Sequence, residues 1–511
     1  MQDLQEALGH RLVRNTLSNF LAQTYVLALG LAALPYIVHR LGASLYGLVV
    51  LVATLGCFAG LVNLGVARAL SQQAAGLYWK GELPAISRLF QTALAVSLLC
   101  GLTACLLLAA FRQPISAMLF HGEQNVRQVA GFAVLVSGVA VLLSVVTEVL
   151  AGLTVALQRF DIYSRVNILV ASVAYLGSVL ILALHFSVRA VLLVSLLAAA
   201  VGVASYTCFL RKALPGLKLR PVPDREAFWQ LLRFSFFVFL SGACGVVVHR
   251  LDRVLVAYYL PMAAVAFYTI PYSLAEKTVA ATGNITTVVF PSVSGLSSAP
   301  ETAKLRELYL LATKMVAVVG LPVAVVLLVL AEPILHFWIG PDFSAHGALV
   351  LQLLALGFLF NICGYVPFVV AQGVGNPWIP AKFSLLNAGA NVLLFILLIP
   401  RYGLCGAATA FLVSQALIIP LLVNAVNRRL DVSWKSVLLR GYFPPAACAL
   451  FSTGVLLLLR SRVESFWSLA GACGIALAGY GAAILLVALD SQERTQFRLS
   501  LLLKPVASPK Y

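Results

Sequence analysis

Residues 165–210 read RVNILVASVAYLGSVLILALHFSVRAVLLVSLLAAAVGVASYTCFL, and Arg189 is the only Asp, Glu, Lys or Arg between Arg165 and Arg211. Roughly 20 predominantly apolar residues carry a helix across a bilayer. The stretch therefore reads as two crossings, 165–184 and 189–210, joined by the turn His185 to Arg189.

The same pattern fills the chain. Apolar runs bounded by charge, Gly and Pro predict fourteen helices, near 16–38, 45–70, 84–110, 128–157, 165–184, 189–210, 233–258, 263–290, 309–330, 346–370, 378–399, 404–427, 437–459 and 466–488. Of the 511 residues 61% are hydrophobic and 10% charged, with a mean hydropathy of +0.98. Soluble domains carry about 25% charged residues. The fold class expected is an all-α polytopic membrane protein with little chain left for a soluble domain. The polar stretch Met1 to Asn15 precedes a run too long for a signal-peptide core, which reads as an uncleaved first span.

The net charge of +17 would suggest nucleic acid in a soluble chain. Here it reads as a positive-inside bias. With the N-terminus inside, the inner segments hold 25 Lys and Arg and the outer loops 9, while Lys277 lies within a span. Both termini are thus expected in the cytoplasm, with Ser298 and Gln492 inside and Asp342 outside. All six tryptophans (Trp79, Trp229, Trp338, Trp378, Trp434, Trp467) fall near proposed helix ends, as an interfacial belt requires. The nine cysteines lie in apolar runs without metal-ligand spacing, so no metal site or disulfide is expected.

The longest cytoplasmic connection holds Arg211, Lys212, Lys218, Arg220 and Arg225 with three prolines, which suits a basic linker. A weak repeat at an offset of 219 aligns Leu41–Val49 with Leu260–Tyr268. The expected organisation is a six-helix lobe over 1–210, a linker over 211–232, a second lobe over 233–427, and two extra helices with a basic tail over 428–511.

No phosphate-binding loop or dinucleotide fingerprint is present, no cofactor is expected, and the chain is not read as an enzyme. Asn284-Ile285-Thr286 matches the glycosylation pattern inside a span and is read as chance. Function is expected instead at polar groups in hydrocarbon, where a charge at the helix centre costs about 2.5–3.5 kcal/mol on insertion scales. Four places qualify: His249, Arg250, Asp252 and Arg253 on the seventh helix, Glu276 and Lys277 on the eighth, Glu148 on the fourth, and Asn63 with Arg68 on the second. Asp252 could instead pair with Arg250 or Arg253 or snorkel to the interface, Arg68 could be a snorkelling residue at a helix end, and Glu148 could stay neutral by holding its proton. Glu276 and Lys277 are successive on a helix and point about 100° apart, so each needs a partner elsewhere or water. Gly30, Pro35, Pro271, Pro322, Pro367 and Pro420 introduce bends that an alternating-access carrier can use.

Several motifs resemble the polysaccharide-synthesis and O-antigen flippases, within the superfamily of multidrug, oligosaccharidyl-lipid and polysaccharide exporters. They are Arg40-Leu41-Gly42-Ala43-Ser44-Leu45-Tyr46-Gly47 with Asn63-Leu64-Gly65-Val66-Ala67-Arg68-Ala69-Leu70, then Leu251-Asp252-Arg253-Val254-Leu255 with Tyr268 and Ala275-Glu276-Lys277. Pro400-Arg401-Tyr402-Gly403-Leu404-Cys405-Gly406-Ala407-Ala408 with Ser414-Gln415 completes the set. Pro261 stands where glycine is usual, and Ala266 where the repeat would have glycine.

The resemblance implies two six-helix lobes around a central cleft. It also implies transport of undecaprenyl-diphosphate-linked saccharide from the inner to the outer leaflet of the cytoplasmic membrane. The implied partners are that anionic lipid, membrane lipids and the polysaccharide polymerase machinery. Arg253, Lys277, Arg68 and Arg250 are the expected basic contacts to the diphosphate, in that order, and Glu148, Glu276 and Asp252 the expected ion- or proton-coupling residues. Two alternatives stand beside it. A cation-coupled multidrug antiporter of the same superfamily would carry acids in its first helix, and 16–38 has none. An envelope-assembly enzyme would need an extended outer loop or a polar cluster at the outer face, and the connections 111–127 and 331–347 are short.

Overall fold

The computed structural model describes residues 2–58, 61, 63, 65–120, 124–214, 216, 220–297, 302–376 and 378–488. Lys218, the side chains of Asn284 to Thr286, Ser298 and the tail from Gln492 lie outside the described residues.

Among the described residues all regular elements are helices. Hydrocarbon offers backbone groups no hydrogen-bond partner, and a helix satisfies them within one segment. In chain order they are α1 (Gln2–Cys57), α2 (Val66–Trp79), α3 (Leu83–Ala110), α4 (Arg112–Leu119), α5 (Gln124–Ala156), α6 (Phe160–Ala183), α7 (Val188–Ala213), α8 (Arg225–Tyr259) and α9 (Met262–Ser297). There follow α10 (Thr302–Val329), α11 (Ala331–Trp338), α12 (Pro341–Cys363), α13 (Tyr365–Gly373), α14 (Trp378–Leu430), α15 (Trp434–Ser436), α16 (Phe443–Arg460) and α17 (Phe466–Ala483), with π-helical turns at Val437–Tyr442 and Ile484–Ala488.

Ten helices among the described residues are long and apolar enough to cross a membrane. Their outward faces are apolar too: Leu99, Leu106, Leu450, Leu458 and Leu486 are 68–78% exposed. Such a surface is an aggregation liability in water and is at home in lipid. The 53 residues of α14 would reach about 80 Å if straight, well over twice a hydrocarbon core of about 30 Å. At Gly403 the backbone turns to φ 57°, ψ −132°, and at Gly42 in α1 to φ 74°, ψ 163°, conformations that divide each helix into two arms.

Two expected helices are interrupted. The run 45–70 is not one helix, because α1 ends at Cys57 and α2 begins at Val66. Gly56, Gly60, Asn63 and Gly65 fall together there; all are poor helix formers, and the glycines barely change the hydropathy of the run. The run 346–370 divides into α12 and α13. Pro367 has no N–H to offer the Cys363 carbonyl four residues back, and the Tyr442 hydroxyl donates to that oxygen instead, at 3.4 Å.

The chain divides into two compact units, Met1–Thr269 with Phe395–Leu404, and Ile270–Leu394 with Cys405–Tyr511. In the first, α2, α3, α5, α6 and α7 bury Leu70, Phe90, Leu153, Val166 and Tyr206 in one core. In the second, Tyr309, Val316, Val366 and Val426 form one core, and Leu330, Ala449, Leu456 and Ala476 another.

Candidate functional site

The break between α1 and α2 creates the site. Gly65, at φ 72°, adopts the left-handed conformation that starts α2, and residues of the next turn open onto a cavity of about 440 Å³. Its walls include Gly65, Ala67, Arg68 and Ser71 of this segment, Glu148, Ala151, Gly152 and Val155 of α5, Tyr163 of α6, and Gly242, Ala243 and Val246 of α8. Small ligands occupy cavities of about 300–1,000 Å³.

Two charged side chains share this cavity, Arg68 and Glu148. Arg68 is exposed to it and makes no side-chain hydrogen bond or ion pair among the described residues. It lies in the first turn of α2, where the partial positive charge of the helix N-terminus adds to its own. Glu148 is half-buried. Ser97 Oγ donates to Asn63 Oδ1 at 2.5 Å, and Asn63 Nδ2 donates to Glu148 Oε2 at 3.5 Å. Ser97 and Asn63 are 0% and 1% exposed, so a buried pair places a long, weak contact on one carboxylate oxygen. Oε1 accepts no hydrogen bond among the described residues. Arg68 and Glu148 form no ion pair, although the arginine's charge acts on the carboxylate.

The close seating of α5 on α2 depends on Gly152. A Cβ there would stand 2.8 Å from the Ala67 carbonyl oxygen. Opposite, a Cβ on Gly242 would stand 3.5 Å from Arg68 Nη1. Glycines on two walls thus leave room for a ligand and for the guanidinium.

The other expected site residues do not line this cavity. Asp252 and Arg253 are buried in α8, at 0% and 3% exposure. They do not form the ion pair that was one reading of them: Asp252 Oδ1 accepts the backbone N–H of Arg253 at 2.8 Å, and Arg253 is near enough for its charge to act on Tyr46. Arg250 is half-buried one turn away. Glu276 and Lys277 belong to the second unit, with Lys277 exposed on α9 and Glu276 half-buried where its charge acts on Tyr365.

The second unit holds a polar cluster outside the expected site residues, although Ser414 and Gln415 belong to one of the motifs above. Asn361 Nδ2 donates to Gln415 Oε1 at 3.0 Å, and Asn391 Nδ2 donates to Ser414 Oγ at 2.6 Å and to Asn387 Oδ1 at 3.2 Å. All five residues are buried. The available signal was the spacing of Asn387 and Asn391, one helical turn apart in an apolar run. Lys314 of α10 is also buried, at 7% exposure.

Comparison with known proteins adds family evidence. A family model described as polysaccharide biosynthesis protein matches residues 40–346. A Shigella flexneri protein provisionally named an O-antigen transporter is 26% identical over 186 residues, covering 36% of this chain and 44% of that protein. A Haloferax volcanii protein named probable flippase AglR is 23% identical over 208 residues, covering 40% of this chain and 44% of that protein. The chain thus spans less than half the length of these curated relatives. The solved structure of the lipid II flippase MurJ in an inward closed conformation superposes with a TM-score of 0.68 over 93% of this chain and 98% of that one. At 14% identity, that likeness is one of fold.

Proposed function

This chain belongs to the polysaccharide biosynthesis protein family, and on that premise we propose that it is a flippase for undecaprenyl-diphosphate-linked oligosaccharide. It carries the lipid from the inner to the outer leaflet of the bacterial cytoplasmic membrane by alternating access, for the synthesis of cell-surface polysaccharide.

One observation carries this reading. Arg68, which forms no ion pair among the described residues, presents its guanidinium to a ligand-sized cavity among apolar helices. Bringing a diphosphate out of water is costly, and a guanidinium offsets that cost with paired charge-assisted hydrogen bonds. An inside-negative potential assists outward movement of negative charge by about 2.3 kcal/mol per charge per 100 mV. No bond needs to be broken, so the activity proposed is transport and not catalysis. Lys277, Arg253 and Arg250 are proposed as further basic contacts along the path, with Glu276 and Asp252 as coupling acids. Both termini are proposed to lie in the cytoplasm, and the polymerase that consumes the saccharide is the proposed partner.

A multidrug antiporter is less well supported. Its cationic cargo would meet an exposed arginine in this cavity, and residues 16–38 supply no acid.

Complementation of a flippase-deficient strain tests the reading. The wild-type chain should restore surface polysaccharide, and Arg68→Ala and Lys277→Ala should fail at normal expression. Restoration by both alanine variants would refute the basic path.

A further inference from the structure

Resting on the flippase reading, we propose that the cavity between α2 and α5 is a subsite for the sugar phosphate portion of the substrate. Arg68 takes a phosphate oxygen, and Glu148 takes a hydroxyl of the sugar ring next to it.

A cavity built for phosphate alone would not carry a carboxylate in its wall, since like charges in a poorly screened site repel. Here the carboxylate is present, forms no ion pair with Arg68, and meets Asn63, itself anchored by Ser97, in one long contact of 3.5 Å. Its Oε1 accepts no hydrogen bond among the described residues and is left as an acceptor for a donor from the ligand. A sugar hydroxyl is such a donor, and a sugar phosphate is the ligand that brings a hydroxyl and an anion into one cavity. The volume of about 440 Å³ suits one ring and its phosphate. Tyr163 adds an aromatic surface to the wall, and an aromatic ring with a polar tip suits a ring that is apolar on its C–H face. Ser71 and Tyr163 are the lining hydroxyls, and neither donates to Glu148 among the described residues. Glu148 thereby acts on the substrate, in place of the ion or proton coupling expected from its isolation in the sequence.

The test is binding to the purified full-length chain in nanodiscs, with inorganic phosphate, glucose 1-phosphate and a short-chain prenyl diphosphate glucose as probes. Wild type should bind glucose 1-phosphate at least about tenfold more tightly than phosphate, and the prenyl conjugate should displace it. Glu148→Gln removes a negative charge and weakens the acceptor. Phosphate affinity should therefore rise while the preference for the sugar form collapses, a pairing that a misfolded variant does not produce. Arg68→Ala should lose both ligands while eluting as folded protein.

If wild type binds phosphate through Arg68 but shows no sugar preference, or Glu148→Gln leaves the preference unchanged, the subsite is wrong and the flippase reading stands. The subsite is also overturned if Glu148→Gln abolishes dependence on an imposed ion gradient with the preference intact. Failure of the prenyl conjugate to displace glucose 1-phosphate would mark a site for free sugar phosphate and overturn the lipid-linked assignment. If Arg68→Ala leaves phosphate binding unchanged, the anion contact beneath both readings fails.

Discussion

Replacing Gly152 with alanine places a methyl carbon 2.8 Å from the carbonyl oxygen of Ala67. Ordinary contact begins near 3.4 Å, so the helices must separate locally by about 0.6 Å. The obstructing atom belongs to the backbone of α2, so no side-chain rotation relieves the clash. Overpacking of this kind costs about 1–3 kcal/mol. The strain falls beside Arg68, because Ala67 precedes it in the first turn of α2. Gly242→Ala is the matched control: its methyl stands 3.5 Å from Arg68 Nη1, an ordinary contact with the end of a flexible side chain. Gel filtration of heated, detergent-purified samples should show Gly152→Ala melting about 1–3 °C below wild type. Transport should fall with it, while Gly242→Ala, which presses on no backbone atom, should match wild type in melting. Equal melting and transport of Gly152→Ala and wild type would refute the argument that α5 and α2 are held at this distance by the missing side chain.

Other perturbations have equally definite outcomes. Asp252→Asn keeps an oxygen for the Arg253 backbone N–H, whereas Asp252→Ala removes it in a fully buried place; folded yield on gel filtration should therefore be clearly lower for Ala than for Asn, and equal yields would contradict the contact. Gln415→Leu removes the acceptor of Asn361 Nδ2, and stranding such a buried group costs about 1–3 kcal/mol; Gln415→Leu should lower the melting temperature, and an unchanged one would remove the cluster from the stabilising contacts of the second unit. Reporter fusions at Ser298 and Gln492 should read cytoplasmic and one at Asp342 external, and an external signal at Gln492 would break the positive-inside argument.

The helices were legible because lipid asks for little more than an unbroken apolar surface. The runs 84–110, 128–157, 165–184 and 189–210 correspond to Leu83–Ala110, Gln124–Ala156, Phe160–Ala183 and Val188–Ala213. What hydropathy could not register is where an apolar segment stops being helical. Gly65 looked like an ordinary residue of a span, Asn63 like a polar group within it, and Arg68 like either a basic contact or a snorkelling cation at its inner end; the break before Val66 turns Arg68 into a first-turn residue facing a cavity. Arg253 ranked first on sequence grounds, yet it is 3% exposed. Its burial follows from how α8 packs in the first unit, which no periodicity along α8 encodes. The amide cluster joins Asn361, Asn391 and Gln415 across three helical segments, so only the tertiary fold brings its members together.

The most direct measurement is the flipping of a fluorescent undecaprenyl-diphosphate-linked saccharide in proteoliposomes, read by protection from a membrane-impermeant quencher, with and without an imposed ion gradient. Wild-type chain should flip the lipid well above protein-free vesicles. Losing a charge-assisted contact worth about 1.5–3 kcal/mol should slow Arg68→Ala by roughly 10- to 150-fold, with Arg68→Lys between the two. Wild-type vesicles no faster than protein-free ones would contradict the assignment as a flippase, and undiminished flipping by Arg68→Ala would contradict the cavity as its anion site.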